Sequence, residues 1–186
     1  YVSAYCDLLA QGAIMPGEEI DVCVPTGNFG NIFAAYIARL MGLPICRLVC
    51  ASNRNNILTD FLRTGTYDRN RHFYTTMSPS MDILISSNLE RLLYTVAGAE
   101  KTAAYMRALG TDGKYTVDAD VKAKIDESFL GYFCDEELTK KTIRDTFDTD
   151  HYLCDTHTAV GLAAARQYIA EHGGARKIVL ASTASP

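Results

Sequence analysis

Two glycines three residues apart, Gly27 and Gly30 in Pro25-Thr26-Gly27-Asn28-Phe29-Gly30-Asn31, join an apolar run (Ile20 to Val24) directly to an alanine-rich one (Ile32 to Met41). The first run has the length of a strand and the second that of a helix. A turn pinned between a strand's carboxyl end and a helix's amino end is a natural seat for an anion. Glycine has no Cβ and tolerates φ > 0. Gly27 and Gly30 are therefore expected to let the main chain approach a ligand and aim N–H groups at it. Phosphate is the expected guest, because the helix amino end adds roughly +0.5 of a charge and each charge-assisted N–H contact contributes about 1.5–3 kcal/mol. The plainer reading is a tight turn in which Asn28 and Asn31 only cap the helix. Neither G-x-G-x-x-G nor a Gly-Lys-Ser/Thr ending is present, which disfavours a dinucleotide fingerprint and a nucleoside triphosphate loop.

Other reactive side chains are scattered. The six cysteines (Cys6, Cys23, Cys46, Cys50, Cys134 and Cys154) form no C-x-x-C pair and have no histidine at metal-ligand spacing. They read as buried, reduced thiols of a cytoplasmic protein, and no metal site is expected. His157 precedes a long amphipathic segment and reads as a capping or core residue rather than a catalytic one. His72, His151 and His172 lie in polar surroundings. Asp82 and Asn88 fit turn stabilisation and helix capping as well as a place facing a ligand. Arg69 and Arg71 sit in a polar stretch where a solvated loop accounts for them more simply than a substrate phosphate does. The lysines (Lys101, Lys114, Lys122, Lys124, Lys140, Lys141 and Lys177) all fall in polar helical segments or just before a strand.

The elements that must hold these residues can be read along the chain. With 186 residues, 48% of them apolar, one core of ordinary size is expected. The formal net charge of −4 and scattered basic residues disfavour nucleic acid as a partner. No run of about eighteen apolar residues and no leader pattern is present, so no membrane association is expected. A start without methionine inside an amphipathic helix (Tyr1 to Ala10), and a stop just after a strand, suggest a piece of a longer chain. The strand Ile20 to Val24, the helix Asn31 to Met41 closed at Gly42, and the strand Ile45 to Cys50 make a βαβ unit and hence a parallel sheet. A short helix (Ile57 to Leu62) leads to a polar stretch, Arg63 to Ser80, expected to be a mobile loop or lid. Met81 to Ile85 reads as a short strand, and Ser87 with Glu90 has capping-box spacing. Helices at Leu89 to Ala97, Glu100 to Leu109, Asp118 to Glu127 and Glu136 to Phe147 suggest a helical insertion over 86–150 within a single domain, 1–186. A helix (Ala159 to Glu171) and a β-rich run (Lys177 to Thr183) close the chain. The fold class is α/β, a three-layer sandwich with a mostly parallel sheet.

Taken in order, a set of motifs resembles threonine synthase, a pyridoxal-phosphate enzyme of fold type II. They are Pro25-Thr26-Gly27-Asn28-Phe29-Gly30-Asn31, Gly42-Leu43-Pro44, Ala51-Ser52-Asn53-x-Asn55, Ser80-Met81-Asp82-Ile83, Ser87-Asn88-x-Glu90-Arg91, Asp155-x-His157-Thr158-Ala159-Val160-Gly161 and Ser182-Thr183-Ala184-Ser185-Pro186. The resemblance implies pyridoxal 5'-phosphate as cofactor. It implies O-phospho-L-homoserine as the small-molecule substrate, which loses phosphate by γ-elimination and gains water at Cβ to give L-threonine. It also implies that Gly27, Asn28, Phe29, Gly30 and Asn31 cradle the cofactor phosphate through main-chain donors, and that the Thr183 hydroxyl partners the pyridine nitrogen. The chain departs from the family at Ser185, where His is usual, and at Asn56, where Asp is usual. The family's Schiff-base lysine lies in an upstream Ser-x-Lys-Asp-type segment with no counterpart here. No catalytic residue is therefore assigned, and the fragment alone is expected to be inactive. Two alternatives stay open: a related pyridoxal-phosphate-dependent phospho-amino-acid lyase, and a non-catalytic α/β binding domain. Oligomeric state is not legible. Borohydride reduction of the chain mixed with pyridoxal 5'-phosphate is expected to leave no stoichiometric adduct on any single lysine; one fully labelled lysine in a peptide map would contradict this.

Overall fold

The computed structural model describes residues 1–186. The chain opens with α1 (Val2–Ala10), β1 (Ile20–Pro25), α2 (Gly30–Leu40) and β2 (Ile45–Ser52). Helix α2 stops because Gly42 takes the left-handed position at φ 102°, letting the Leu43 N–H reach back 3.0 Å to the Ala38 carbonyl. There follow α3 (Ile57–Thr64), β3 (Thr66–Asp68), a 3₁₀ turn (Pro79–Met81), α4 (Leu89–Asp112), β4 (Lys114–Thr116) and α5 (Ala119–Asp126). The chain then completes β5 (Phe129–Phe133), α6 (Glu136–Asp150), α7 (Thr156–His172) and β6 (Ile178–Leu180). Strands β5, β2, β1 and β6 lie side by side in that order, every pair parallel, while β3 and β4 make a separate antiparallel ribbon.

Side chains alternate across the sheet as the period of two requires, and both faces are covered. Val22, Val24, Leu48 and Cys50 join Phe29, Ile32, Phe61 and Phe129 in one core beneath α2 and α3. Cys23, Val49 and Ala51 face the other way, onto Val160, Ala163 and Ala164 of α7. Helix α7 lies unusually close to the strands. A Cβ on Gly161 would stand 2.6 Å from Leu180 Cδ1 and 2.8 Å from Pro25 Cγ. At the amino end of the sheet, Asp21 is buried yet fully engaged: it accepts from the Tyr168 hydroxyl (2.9 Å), Arg176 Nε (3.1 Å) and the Arg47 N–H (3.0 Å).

Several expectations are corrected. The polar stretch 63–80 is neither a free loop nor a lid. It contains β3, whose Tyr67 is 1% exposed and stacks on Tyr115 of β4 at 5.4 Å, and its Thr76 and Ser78 are buried. Met81 to Ile85 is not a strand, since the chain there leaves the 3₁₀ turn with no pairing partner. The Ser87–Glu90 capping box does not form; Asn88 is the N-cap of α4 and makes no side-chain capping bond. The stretch 86–150 is not all helix: it supplies β4 to the ribbon and β5 to the main sheet. Among the cysteines, all free, Cys6 is exposed and Cys46 half-buried.

Glycine substitutions test the packing directly. Gly161→Ala is expected to cost about 1–3 kcal/mol, by overpacking against the rigid Pro25 ring. Gly110→Ala in α4, where a Cβ meets nothing within 4 Å, should gain about 0.5–1 kcal/mol. Urea midpoints at unchanged slope would measure both.

Candidate functional site

A parallel sheet brings the carboxyl ends of its strands to one edge, and the segments following β1, β2 and β6 converge there with the head of α7. The turn after β1 is the most unusual of them. None of the main-chain N–H groups from Gly27 through Ile32 donates to a protein acceptor; the first amide to do so is Phe33, to the Phe29 carbonyl at 3.0 Å. Gly27, Phe29 and Ile32 are nevertheless buried residues, and buried amides without partners are rare. No side chain caps α2. Asn28 makes no capping bond, and the Asn31 side chain instead accepts from the Tyr1 hydroxyl at 2.5 Å. The plain capping-turn reading is therefore not what folds.

Opposed carbonyls fix where those amides point. The Gly27 carbonyl accepts from Ser86 Oγ at 2.9 Å, and the Asn28 carbonyl accepts from the N–H and Nδ2 of Asn88 at 3.1 and 2.8 Å. Because C=O and N–H oppose one another across a planar peptide, the Asn28 and Phe29 amides are turned away from these tethers. One expectation is corrected here. Neither Gly27 nor Gly30 has positive φ, and the left-handed residue is Phe29, at φ 66° and ψ −4°. Its ring holds it there, 1% exposed and 5.5 Å from that of Phe129. Gly27 is needed for closeness instead, since a Cβ would stand 2.9 Å from the Ser80 carbonyl oxygen. A left-handed residue inside consecutive free amides at a helix start makes a concave anion nest.

A polar network stiffens the rim. The Asp82 carboxylate accepts from Asn53 Nδ2 (2.7 Å), Asn55 Nδ2 (2.9 Å), Thr76 Oγ1 (2.7 Å) and the Thr76 N–H (2.9 Å). Asn55 also imitates a strand partner for Tyr74, bonding its N–H at 2.9 Å and its carbonyl at 2.8 Å. Arg71 is spent internally, on Asp60 at 2.7 Å and on Asn56.

At the head of α7, Asp155 caps the helix through the N–H groups of His157 and Thr158. Burial pushes its carboxyl up, but hydrogen bonds from the Thr158 hydroxyl and amide and from the His157 amide outweigh this and hold it below the ordinary value. His157 does more than the sequence suggests: its Nε2 is 2.7 Å from Ser80 Oγ and its Nδ1 is 3.2 Å from Asp155. The Asp-x-His-Thr spacing was the available signal; Ser80, 77 residues away, carried none. Thr183 lies in the exposed tail beyond β6, with no hydrogen-bond partner of its own. Its neighbour Ser182 reaches Thr158 at 2.9 Å, which brings the tail to the same edge. The lysines are all peripheral, Lys101, Lys122, Lys140 and Lys141 paired with carboxylates.

No family model matches the chain. Threonine synthase-like 1 of Homo sapiens is 44% identical over 169 residues, 89% of this chain and 23% of that protein. Threonine synthase of Saccharomyces cerevisiae is 37% identical over 185 residues, 91% of this chain and 36% of that protein. A PLP-bound threonine synthase from Brucella melitensis superposes with a TM-score of 0.88 at 38% identity, over 96% of this chain and 38% of that one. The chain belongs to the threonine synthase family. It spans well under half the length of these threonine synthases. Maize serine racemase, with a TM-score of 0.56 at 13% identity, shares the fold alone, which is that of the fold type II enzymes.

The rim is open to mutation. Asp82→Ala strips the acceptor from two asparagine side chains and from Thr76, and is expected to cost about 3 kcal/mol, read as a lowered urea midpoint.

Proposed function

We propose that this chain is the cofactor-binding part of a threonine synthase. That enzyme converts O-phospho-L-homoserine and water to L-threonine and phosphate by γ-elimination and β-addition. The observation carrying this reading is the run of partnerless amides from Gly27 to Ile32 at a helix start. It fits a phosphate monoester: the donors are neutral and preorganised, and the helix amino end favours a dianion. Gly27, Asn28, Phe29, Gly30 and Asn31 hold the phosphate of pyridoxal 5'-phosphate through their main chain. Ser86 and Asn88 hold the loop's carbonyls out of the way, and the buried Phe29 ring keeps its backbone left-handed. The Thr183 hydroxyl partners the pyridine nitrogen from the tail beyond β6. When bound, pyridoxal 5'-phosphate supplies an electron sink for carbanion chemistry.

No residue of this chain is assigned a catalytic role. The 186 residues work as one cofactor-binding unit, with 86–150 inserted into it. A place in the cytoplasm is supported by six cysteines that are all free. No helix is long and apolar enough to cross a membrane, and the expected partner is the small-molecule substrate rather than nucleic acid.

Pyridoxine 5'-phosphate, which has no aldehyde to react with surface lysines, tests the cradle. It should bind at least about 100-fold more tightly than pyridoxine, since two charge-assisted N–H contacts already contribute about 3 kcal/mol. Inorganic phosphate should compete. Equal calorimetric affinities for the two vitamers would overturn the reading.

A further inference from the structure

Beside the amide nest stands an arrangement that neither phosphate binding nor helix capping requires. Ser80 Oγ lies 2.7 Å from His157 Nε2, and His157 Nδ1 lies 3.2 Å from Asp155 Oδ1. Asp155 needs only the His157 and Thr158 amides to cap α7, so the imidazole is free to do something else. Its tautomer follows from its neighbour. A carboxylate held ionised accepts only, so Nδ1 carries the proton and Nε2 presents its lone pair to the serine hydroxyl. Ser80 is exposed, and its carbonyl oxygen is 2.9 Å from where a Gly27 Cβ would stand, which sets the residue directly beside the 27–32 turn.

We propose that Ser80, His157 and Asp155 form a proton relay whose outer hydroxyl serves the ligand seated on the 27–32 amides. The proposal deepens the function given above and rests on it. As a ligand-side O–H or water gives its proton to Ser80 Oγ, the serine's own proton passes to His157 Nε2. The O–H bond of the serine is remade on its outer side, and the imidazolium is balanced by the Asp155 carboxylate. Reversing the sequence returns the proton. Ser80 is thus the group in contact with the ligand, while His157 and Asp155 position it and store the proton. The other charged groups on the elements packed around this turn are few. Glu136, at the head of α6, takes the Met77 N–H at 3.1 Å. Lys140 and Arg144 of α6 line the neighbouring groove with Met77 and Thr156, and Asp82 lies beyond Ser80 in its own network.

The test uses purified protein labelled with ¹⁵N-histidine, and separately the holoenzyme. In the wild type His157 should show a protonated Nδ1 and an Nε2 that accepts a hydrogen bond, and Ser80→Ala should shift the Nε2 resonance. Adding pyridoxine 5'-phosphate should move the His157 signals in the wild type and leave them unmoved in Ser80→Ala. In the full-length holoenzyme with O-phospho-L-homoserine as substrate, His157→Gln should lower kcat about 100-fold with KM within about threefold. Imidazole should restore part of kcat to His157→Ala. The helix cap survives in both variants because it uses a main-chain N–H. An Nε2–H tautomer, an equal ligand-induced shift in Ser80→Ala, or an unchanged kcat in His157→Gln would each overturn the relay. Failure of the wild type to bind pyridoxine 5'-phosphate would overturn the parent reading, and the relay with it.

Discussion

An α-helix begins with N–H groups that its own backbone cannot satisfy, and everything distinctive about this molecule follows from where α2 leaves them. Most helices meet this need with a Ser, Thr, Asp or Asn cap, or with water. Here Gly27, Phe29 and Ile32 are buried while Asn28, Gly30 and Asn31 face outward, α2 has no side-chain cap, and amides without a protein acceptor extend back from Ile32 to Gly27. The surrounding structure maintains that condition. Phe29 accepts a left-handed backbone because its ring is packed against Phe129, and Ser86 and Asn88 take up the Gly27 and Asn28 carbonyls on the side away from the amides. Strain and unsatisfied donors of this kind persist only where the rest of the fold over-determines them.

The rest of the edge is built to a consistent rule. Asp82 and Asp155 are each surrounded by uncharged donors, hydroxyls, amides and asparagine side chains, rather than by a cation in a dedicated pair. The guanidinium–carboxylate contact of Arg176 with Asp21 sits instead at the sheet's opposite end. A rim of neutral donors is also stiff, because no buried side-chain polar atom is left without a partner.

Much of the scaffold was legible. The strand, glycine turn and helix from Ile20 to Met41, the breaker at Gly42, and the parallel partner from Ile45 all follow from local pattern. What escaped the pattern was short or depended on distant partners. The strands Thr66–Asp68 and Lys114–Thr116 are too brief for periodicity to register, and they exist because Tyr67 and Tyr115 stack across them. Strand β5 lies in the middle of helical sequence, and its Gly131 makes sense only against α3, where a Cβ would stand 2.9 Å from Thr59 Cα. The polar composition of 63–80 suggested mobility, yet Tyr74, Thr76 and Ser78 are bonded to Asn55, Asn53 and Asp82.

By itself the sequence determined the class of the fold, the position of the glycine turn between β1 and α2 and the family, because these reside in local rules: apolar runs, a glycine-rich junction and motifs of contiguous residues. Only the tertiary structure decided which residue of the turn goes left-handed, which carbonyls are drawn aside, and that Ser80 meets His157. Those outcomes depend on packing between segments far apart in the chain, where one buried ring or one close backbone approach outweighs the intrinsic preference of any glycine.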